Sequence, residues 1–358
     1  MRTVGVEEEL LLVDPASGEP RAVSEAVLAQ ARDEDGLEKE LQSEQLETAT
    51  SPRERMADLA LEIRRRRAVA SEQARAVGAE VAALATSPLP ADPSLSPGRR
   101  YHRLAAAYGL TAQEQLTCGC HVHVQVDSDE EGVAVLDRVR PWLAPLLALS
   151  ANSPFWQGED TGYSSYRSRV WGRWPSAGPV EAFGSAERYH EQVKAMVATG
   201  ALLDEGMVYF DARLSHTFPT VEVRVADVCL DADDTVLVAA LVRGLVETSA
   251  RAWRAGEPPA PVPVAVLRLA AWRAGRSGPA GPLVRPLTWA PASAETVAWA
   301  LLEHVAAALS DAGDLEMAEE LLNRLLSRGG GAAVQRAILD RSGDLRTVVR
   351  EAVARTTG

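Results

Sequence analysis

The chain has 358 residues, of which 46% are hydrophobic and 24% charged, and its formal net charge is −13. That length can bury a large core, in one big domain or two ordinary ones. A whole-molecule field this acidic repels phosphate backbones and anionic lipid, which excludes a general nucleic-acid or membrane-surface binder but not a local cationic pocket.

In chain order, residues 3–13 read as a strand, 22–33 as a short helix and 37–50 as a strand pair. Pro52 opens a helical pattern that runs to about Leu84, with Val77, Val81 and Leu84 at i, i+4 and i+7 and Gly78 inside it. The run Arg64-Arg65-Arg66-Arg67 reads as a solvated helix face. Residues 88–97 are a Pro/Ser-rich loop, and a strand follows over 116–126. Asp127-Ser128-Asp129 offers caps for a helix to about Ser150, kinked or restarted at Pro141 and Pro145.

Residues 151–183 lack periodicity but hold aromatic and arginine clusters, among them Tyr163, Tyr166-Arg167, Arg169, Trp171 and Arg173-Trp174. They read as an ordered loop at the mouth of a site. A helix is expected over 185–199, strands over 206–214 and 219–227, and a helix capped by Asp231 to about Ala255. After a Pro/Ala linker at 256–263 the remainder reads as helices, over about 264–275, 293–312, 315–327, 332–341 and 344–355. The expected organisation is a catalytic core over 1–255 and a mostly helical part over 256–358 packed on the same domain.

Three cysteines, Cys118, Cys120 and Cys229, make a disulfide framework unexpected. The first residues reach Glu7-Glu8-Glu9 with no apolar signal core, and no apolar run has the length of a membrane span, so the expected location is the cytoplasm.

Four segments carry the chemistry: Gly5-Val6-Glu7-Glu8-Glu9-Leu10, Ser43-Glu44-Gln45-Leu46-Glu47-Thr48, Gly119-Cys120-His121-Val122-His123-Val124 and Thr220-Val221-Glu222-Val223-Arg224-Val225. Side chains alternate across a strand, so Glu7 and Glu9 share one face while Val4, Val6, Leu10 and Leu12 share the other with Glu8. His121 and His123 oppose Val122 and Val124, and Glu222 and Arg224 oppose Val221, Val223 and Val225. In one sheet these strands give a greasy side and a side of carboxylates, imidazoles and an arginine. That polar side is costly unless cations and an anionic substrate occupy it.

Each segment alone also has a plain structural reading. Glu7 and Glu9 suit one or two hard cations, or a solvated edge face. Glu47 shares its face with Gln45 and Ser43, whereas Glu40 and Glu44 fall on the opposite parity unless a bulge intervenes. His121 and His123 suit a metal or an anion, or a satisfied pair in a sheet. A structural zinc is disfavoured because Cys118 and Cys120 point away from the histidines. Glu222 with Arg224 suits a bidentate anion grip or a cross-strand ion pair, with Asp211, Arg213 and Asp227 flanking it. No P-loop, Rossmann turn, kinase Gly-rich loop or nucleophile elbow occurs, so any ATP binds through metals and arginines.

Taken together, the strings Gly5-Val6-Glu7-Glu8-Glu9, Gln45-Leu46-Glu47-Thr48-Ala49-Thr50, Cys120-His121-Val122-His123 and Thr220 to Asp227 resemble the glutamate–cysteine ligase type 2 group of carboxylate–amine ligases. Ser150 to Trp156 and Asp160-Thr161-Gly162 are similar to it as well. The resemblance implies an α+β fold, a glutamine-synthetase-like catalytic domain whose curved antiparallel sheet has helices on its convex side. It implies ATP with Mg²⁺ or Mn²⁺ as cofactors. Glu7, His121 and Glu222 would hold one metal, and Glu9 and Glu47 another, with Glu40 assisting. Arg224 would contact the transferred phosphoryl group or the substrate carboxylate. Arg167, Arg169 and Arg173 in the loop, and Arg273 and Arg276 further on, are candidate anion contacts; among them Arg169 is the catalytic candidate, and Arg167, Arg273 and Arg276 are the cofactor-binding ones.

The implied reaction is amide formation through an acyl phosphate, most simply between glutamate and cysteine. The partners expected are small carboxylate and amine substrates, with a homodimer allowed. Phosphotransfer to a guanidino nitrogen, a metal-dependent hydrolase built on the His-x-His strand, and a non-catalytic nucleotide binder are the alternatives.

Overall fold

Ten residues near the N-terminus, Val4–Val13, form the central strand β1, and the sheet is assembled on both sides of it. The computed structural model describes residues 1–32 and 36–358. The remaining sheet strands are β2 (Leu37–Lys39), β3 (Gln45–Ala49), β4 (Glu80–Ala82) and β5 (Gly119–Gln125). After the small hairpin β6 (Phe155–Trp156) and β7 (Glu159–Asp160) come β8 (Ala212–Leu214) and β9 (Thr220–Asp227). A second hairpin, β10 (Pro282–Val284) and β11 (Pro291–Ser293), lies apart. The seven-stranded sheet runs β2-β3-β1-β5-β9-β8, with β4 also on β1, and its pairings are antiparallel.

The helices are α1 (Ser24–Leu28), α2 (Met56–Ala76), α3 (Arg99–Tyr108), α4 (Leu110–Gln113), α5 (Asp129–Val139), α6 (Leu143–Ser150) and α7 (Arg167–Trp171). They continue as α8 (Ala186–Ala198), α9 (Ala232–Arg254), α10 (Val264–Ser277), α11 (Ala294–Ala312), α12 (Leu315–Arg328), α13 (Gly331–Ser342) and α14 (Leu345–Thr356). The fold is therefore α+β, with helices packed on the apolar side of an antiparallel sheet. None of the helices is long and apolar enough to cross a membrane, among the described residues.

The apolar side follows the alternation read from the sequence. Val4, Val6, Val122, Val124, Val221 and Val223 are buried in one cluster with Val238, Leu241 and Leu245 of α9 and Val135 and Leu146 of α5 and α6. Burying such side chains contributes roughly 1.5–3 kcal/mol each, which makes the sheet–helix interface the main source of stability. A second cluster joins Leu10, Leu12 and Leu46 to Val81 and Leu84, with Val349 and Ala352 of α14. Among the C-terminal helices, α11 lies on α9, α10 on α6 and α14 on β4.

Local signals set most boundaries. Ser128 caps α5 by accepting from Glu131 N (3.2 Å), and Ser185 and Ser293 cap α8 and α11 in the same way. Pro141 and Pro145 break the following segment as expected, into α5, a 3₁₀ turn over Arg140–Trp142 and α6. The expected helix over 22–33 shrinks to α1, and Asp33 lies outside the described residues.

Two expectations are corrected. The helix expected to run to Leu84 ends at Ala76, because Gly78 takes a left-handed φ of 73°. Val81 and Leu84 had helical spacing, but residues 81–85 are apolar throughout and, with Glu80, instead form β4 and its flank beside β1. The arginine run is not wholly solvated either. Arg64 and Arg65 are exposed, whereas Arg66 and Arg67 are buried, with Arg67 at 0% exposure.

Candidate active site

The polar side of the sheet is continuous across its middle strands. Registers place Glu7 opposite His121, Glu9 opposite Glu47, His123 opposite Glu222, and Glu222 opposite Arg213. The β5–β9 register slips by one residue between Cys120 and Val122, leaving Arg224 and Val225 together opposite His121. Such a bulge bends the strand and re-aims its side chains. Here it puts Arg224 at the junction of two cavities.

Three overlapping clusters form on this surface: Glu7, His123 and Glu222; Glu7, Glu47 and His121; and Glu9, Glu40 and Glu47. In each, one potential ligand atom per residue lies within 4.8 Å of the others. Glu7 bridges the imidazoles, with Oε2 3.2 Å from His121 Nδ1 and Oε1 3.2 Å from His123 Nε2. His123 Nδ1 is fixed by Thr220 Oγ1 at 3.0 Å. The Nε2 atoms of both histidines are buried and have no hydrogen-bond partner. His123 Nε2 is near Glu7 but outside hydrogen-bond geometry. Orphaned imidazole nitrogens among convergent carboxylates are the donor set of a hard or borderline divalent cation.

The electrostatics agree with that reading. Burial pushes the Glu47 carboxyl well above its usual range, and Glu40, Glu7 and Glu9 push it further. Burial and then Glu9 raise Glu40 to about 7. For Glu7, burial acts upward but the His121 and His123 imidazoles beside it override that and hold the group well below its usual range. Burial also opposes ionisation of Glu222, yet Arg224 and Arg213 keep it strongly depressed. His121 is lowered by burial and then by Arg224, both of which disfavour the protonated ring. Carboxylates this crowded repel one another until a cation enters.

An acidic cleft of about 270 Å³ opens over this surface, bounded by Glu7, Glu9, Glu40, Glu47, His121 and Arg224, with Tyr101 and Tyr209 among its walls. A second cavity of about 420 Å³ adjoins it. That one is lined by Arg167, Arg169, Arg173, Arg224 and Arg268 together with Trp171, Trp174 and Trp272. Trp171, Trp174 and Arg224 border both spaces. The guanidinium carbons of Arg167 and Arg224 lie 5.6 and 5.7 Å from the Trp171 ring centre. The wall between an anionic compartment and a cationic one is thus an indole holding two arginines.

The loop over 151–183 forms much of the second cavity, and it is ordered by a hub. Asp227 at the end of β9 accepts from Asn152 N, Ser153 Oγ and Ser165 Oγ at 2.9, 2.7 and 2.8 Å. Asp227, flagged in the sequence as part of the charge network around Glu222, therefore serves this loop.

The structure brings Glu7, Glu9, Glu47, His121, Glu222 and Arg224 together on one surface, with Arg167 and Arg169 in the adjoining cavity. It pairs Glu222 with Glu7 and His123, whereas the sequence grouped it with His121; the one-residue slip and the Glu222–His123 register account for the difference. Arg273 and Arg276 are not brought to either cavity. On α10 the stripe facing the cavity is Arg268, Ala271 and Trp272, at i, i+3 and i+4. Arg273 lies over Trp272 instead, and Arg276 donates to the Gly162 carbonyl over the Tyr163 ring. Arg173 reaches the cavity edge but is paired with Glu114 at 2.6 Å.

Two participants were obscured in the sequence. Glu40 follows the end of β2 at Lys39, so strand parity did not govern where it points. Arg213 was seen only as a flanking charge, yet its Nε meets Glu222 Oε2 at 2.7 Å and its Nη1 is anchored by the Val208 carbonyl at 3.0 Å. Its spacing of two from Asp211 on an edge strand was the available signal.

Comparison with known proteins agrees with this architecture. The family model described as glutamate–cysteine ligase family 2 (GCS2) matches residues 3–357. A relative from Streptomyces avermitilis, provisionally named glutamate–cysteine ligase 2-1, is 62% identical over 362 residues, covering 100% of both chains. A Streptomyces coelicolor relative with a similar provisional name is 61% identical over 360 residues, or 99% of each chain. Among solved structures, glutamate–cysteine ligase from Francisella tularensis in complex with AMP superposes with a TM-score of 0.73 at 14% identity, covering 99% of this chain and 88% of that one. A bifunctional glutathione synthetase from Pasteurella multocida gives a TM-score of 0.71 at 17% identity, covering 99% of this chain and 52% of its own. At those identities the likeness concerns the fold. The matched family model and the close relatives carry the assignment: the chain belongs to glutamate–cysteine ligase family 2, a family of ATP-dependent ligases.

Proposed function

We propose that the chain is a carboxylate–amine ligase that works through an acyl phosphate, with Mg²⁺ or Mn²⁺ held by Glu7, Glu9, Glu40, Glu47, His121, His123 and Glu222. The observation that carries the reading is the juxtaposition of three carboxylate clusters, two of them with an imidazole, with an arginine-lined cavity across the Trp171 wall. Divalent cations bound there would neutralise phosphate oxygens as they approach a carboxylate.

The side chains then have separable tasks. A substrate carboxylate oxygen attacks the γ-phosphorus of ATP and ADP leaves, giving an acyl phosphate. An amine nitrogen attacks the acyl carbon, phosphate leaves, and the amine loses a proton to complete the amide. Arg224 lies between the compartments with a buried, unpartnered Nε, and it balances the charge of the phosphoryl group in transit. Arg169 in α7 assists from the second cavity. The loop over 151–183, pinned to Asp227, keeps water from the acyl phosphate. Glutamate and cysteine are the simplest pair for a member of this family.

The test is an ADP-release screen with Mg²⁺ or Mn²⁺, offering amino acids singly and in pairs. ADP that appears only when an acid and an amine are both present supports the ligase. Turnover with a guanidino compound alone would replace it with phosphotransfer, and amide or ester hydrolysis without ATP would replace it with a hydrolase.

A further inference from the structure

The arginine-rich cavity contains one carboxylate, that of Asp211. Asp211 sits just before β8, and its carbonyl accepts from Arg224 N at 2.9 Å, which fixes it beside Arg224 at the sheet edge. Its side chain is half-buried and makes no hydrogen bond or ion pair with any described residue. Arg268 of α10 also lines the cavity and likewise makes no hydrogen bond or ion pair with any described residue. Deeper in the wall, Arg167 and Arg224 are 2% and 8% exposed, and each carries a buried Nε with no partner.

Asp211 meets none of these guanidinium groups directly, and burial pushes its carboxyl up, so its charge is costly as it stands although Arg167 and Arg268 act on it from a distance. A purely anionic ligand would satisfy the arginines and leave Asp211 facing like charge. A ligand with a positive end and a negative end satisfies both. The base of a nucleotide could donate a hydrogen bond to Asp211, but it would leave the carboxylate charge unbalanced. Resting on the ligase reading above, we infer that Asp211 is a specificity-determining residue that binds the ammonium group of an amino-acid substrate, whose carboxylate faces Arg268.

The experiment is calorimetric titration of the full chain, with Mn²⁺ and ADP present, using the proteinogenic amino acids and matched deaminated acids such as glutarate for L-glutamate and 3-mercaptopropionate for L-cysteine. At least one amino acid is expected to bind about tenfold or more tightly than its deaminated partner, the scale of one charge-assisted hydrogen bond. Asp211→Asn should erase that preference and leave ADP affinity within about twofold, because the amide keeps an acceptor but loses the charge. Arg268→Met, on an exposed helix position, should weaken the amino acid but not the corresponding decarboxylated amine. The inference is overturned if Asp211→Asn keeps the preference, if ADP affinity falls while amino-acid binding is untouched, or if no amino acid binds the wild-type chain. Binding is the readout here, whereas the ligase reading is tested by ADP release, so each can fail without the other.

Discussion

Arg67 grips both carboxylate oxygens of Glu8 from the buried side of β1, through Nε at 2.8 Å and Nη2 at 2.6 Å. Thr235 Oγ1 donates to Glu8 Oε1 at 2.7 Å, and Arg67 also donates to the carbonyls of Cys229 and Leu230. The Glu7-Glu8-Glu9 string is thereby divided: its middle residue ties β1 to α2 and α9, and its neighbours face the cleft. Glu8→Gln leaves Arg67 buried without its counter-ion, so it should cost about 3–5 kcal/mol of stability. Chemical denaturation checks this, with ADP release per folded molecule nearly unchanged. A loss of turnover at full stability would place Glu8 in the chemistry instead.

Glu47→Gln should separate metal binding from folding in the opposite sense. Removing a carboxylate that burial and its neighbours already disfavour should leave the melting temperature of the metal-free protein unchanged or raised. Mn²⁺ binding and Mg²⁺-dependent ADP release should each fall, turnover by about 10²-fold or more. Glu7→Gln and Glu222→Gln should lose ADP release on the same scale with the fold retained, as judged by far-UV circular dichroism. Near-normal turnover in Mg²⁺ in either variant would show that the cations are held elsewhere.

The pH dependence of stability follows from the raised carboxylates. Glu40 and Asp211 are lifted by burial from their ordinary 4.5 and 3.8 to about 7, and Asp234 from 3.8 to about 6. Between those limits the folded chain holds more protons than the unfolded one, so stability falls as pH rises. His121, lowered from 6.5 by burial, contributes with the opposite sign, but only below 6.5. In chelator, the melting temperature should therefore decline from pH 6.5 to about 7.5. Saturating Mn²⁺ should flatten that slope, because ligation replaces the protons of Glu40 and Glu47. A melting temperature that climbs with pH under chelation would contradict the protonated carboxylates.

Gly119 starts β5 with its amide donating to Glu9, and an added Cβ there would collide with the Arg167 guanidinium. Its backbone angles do not demand glycine, so Gly119→Ala tests the close approach alone. Displacing a buried arginine should cost roughly 1–3 kcal/mol. Substrate KM should rise through the second cavity while Mn²⁺ affinity stays near wild type. Unchanged KM in a folded variant would remove Arg167 from the ligand-binding wall.

Much of the site could be read from strand alternation, because it depends only on which residues share a face. Glu7 with Glu9, His121 with His123, and Glu222 with Arg224 all behave as period-two patterns require. What alternation could not supply was the slip between Cys120 and Val122, which decides that Glu222 meets His123. It was equally silent on Glu40, which lies beyond the end of its strand. Helical spacing misled in two places. Val81 and Leu84 kept a helical interval in a wholly apolar stretch, where periodicity carries no information. The arginine run was read as one unit although a helix turns Arg65 and Arg67 to nearly opposite sides, one exposed and one buried. Arg273 and Arg276 were placed by residue type alone, and the face of α10 decided otherwise.

Gln335 of α13 reaches back to the Asn152 backbone carbonyl and side-chain oxygen at 2.9 and 2.7 Å. Asn152 in turn donates to the Ala83 and Val228 carbonyls, and Thr356 Oγ1 accepts from Ala83 N at 2.8 Å. Gly331 meets Asn152 so closely that a side chain would not fit between them. The tail of the polypeptide is thus a bolt through the hinge of the aromatic loop. Proteolytic trimming near residue 330 would remove one of the loop's two anchors while leaving every candidate cation ligand in the chain, a separation of cutting site from symptom that would otherwise look like damage at a distance.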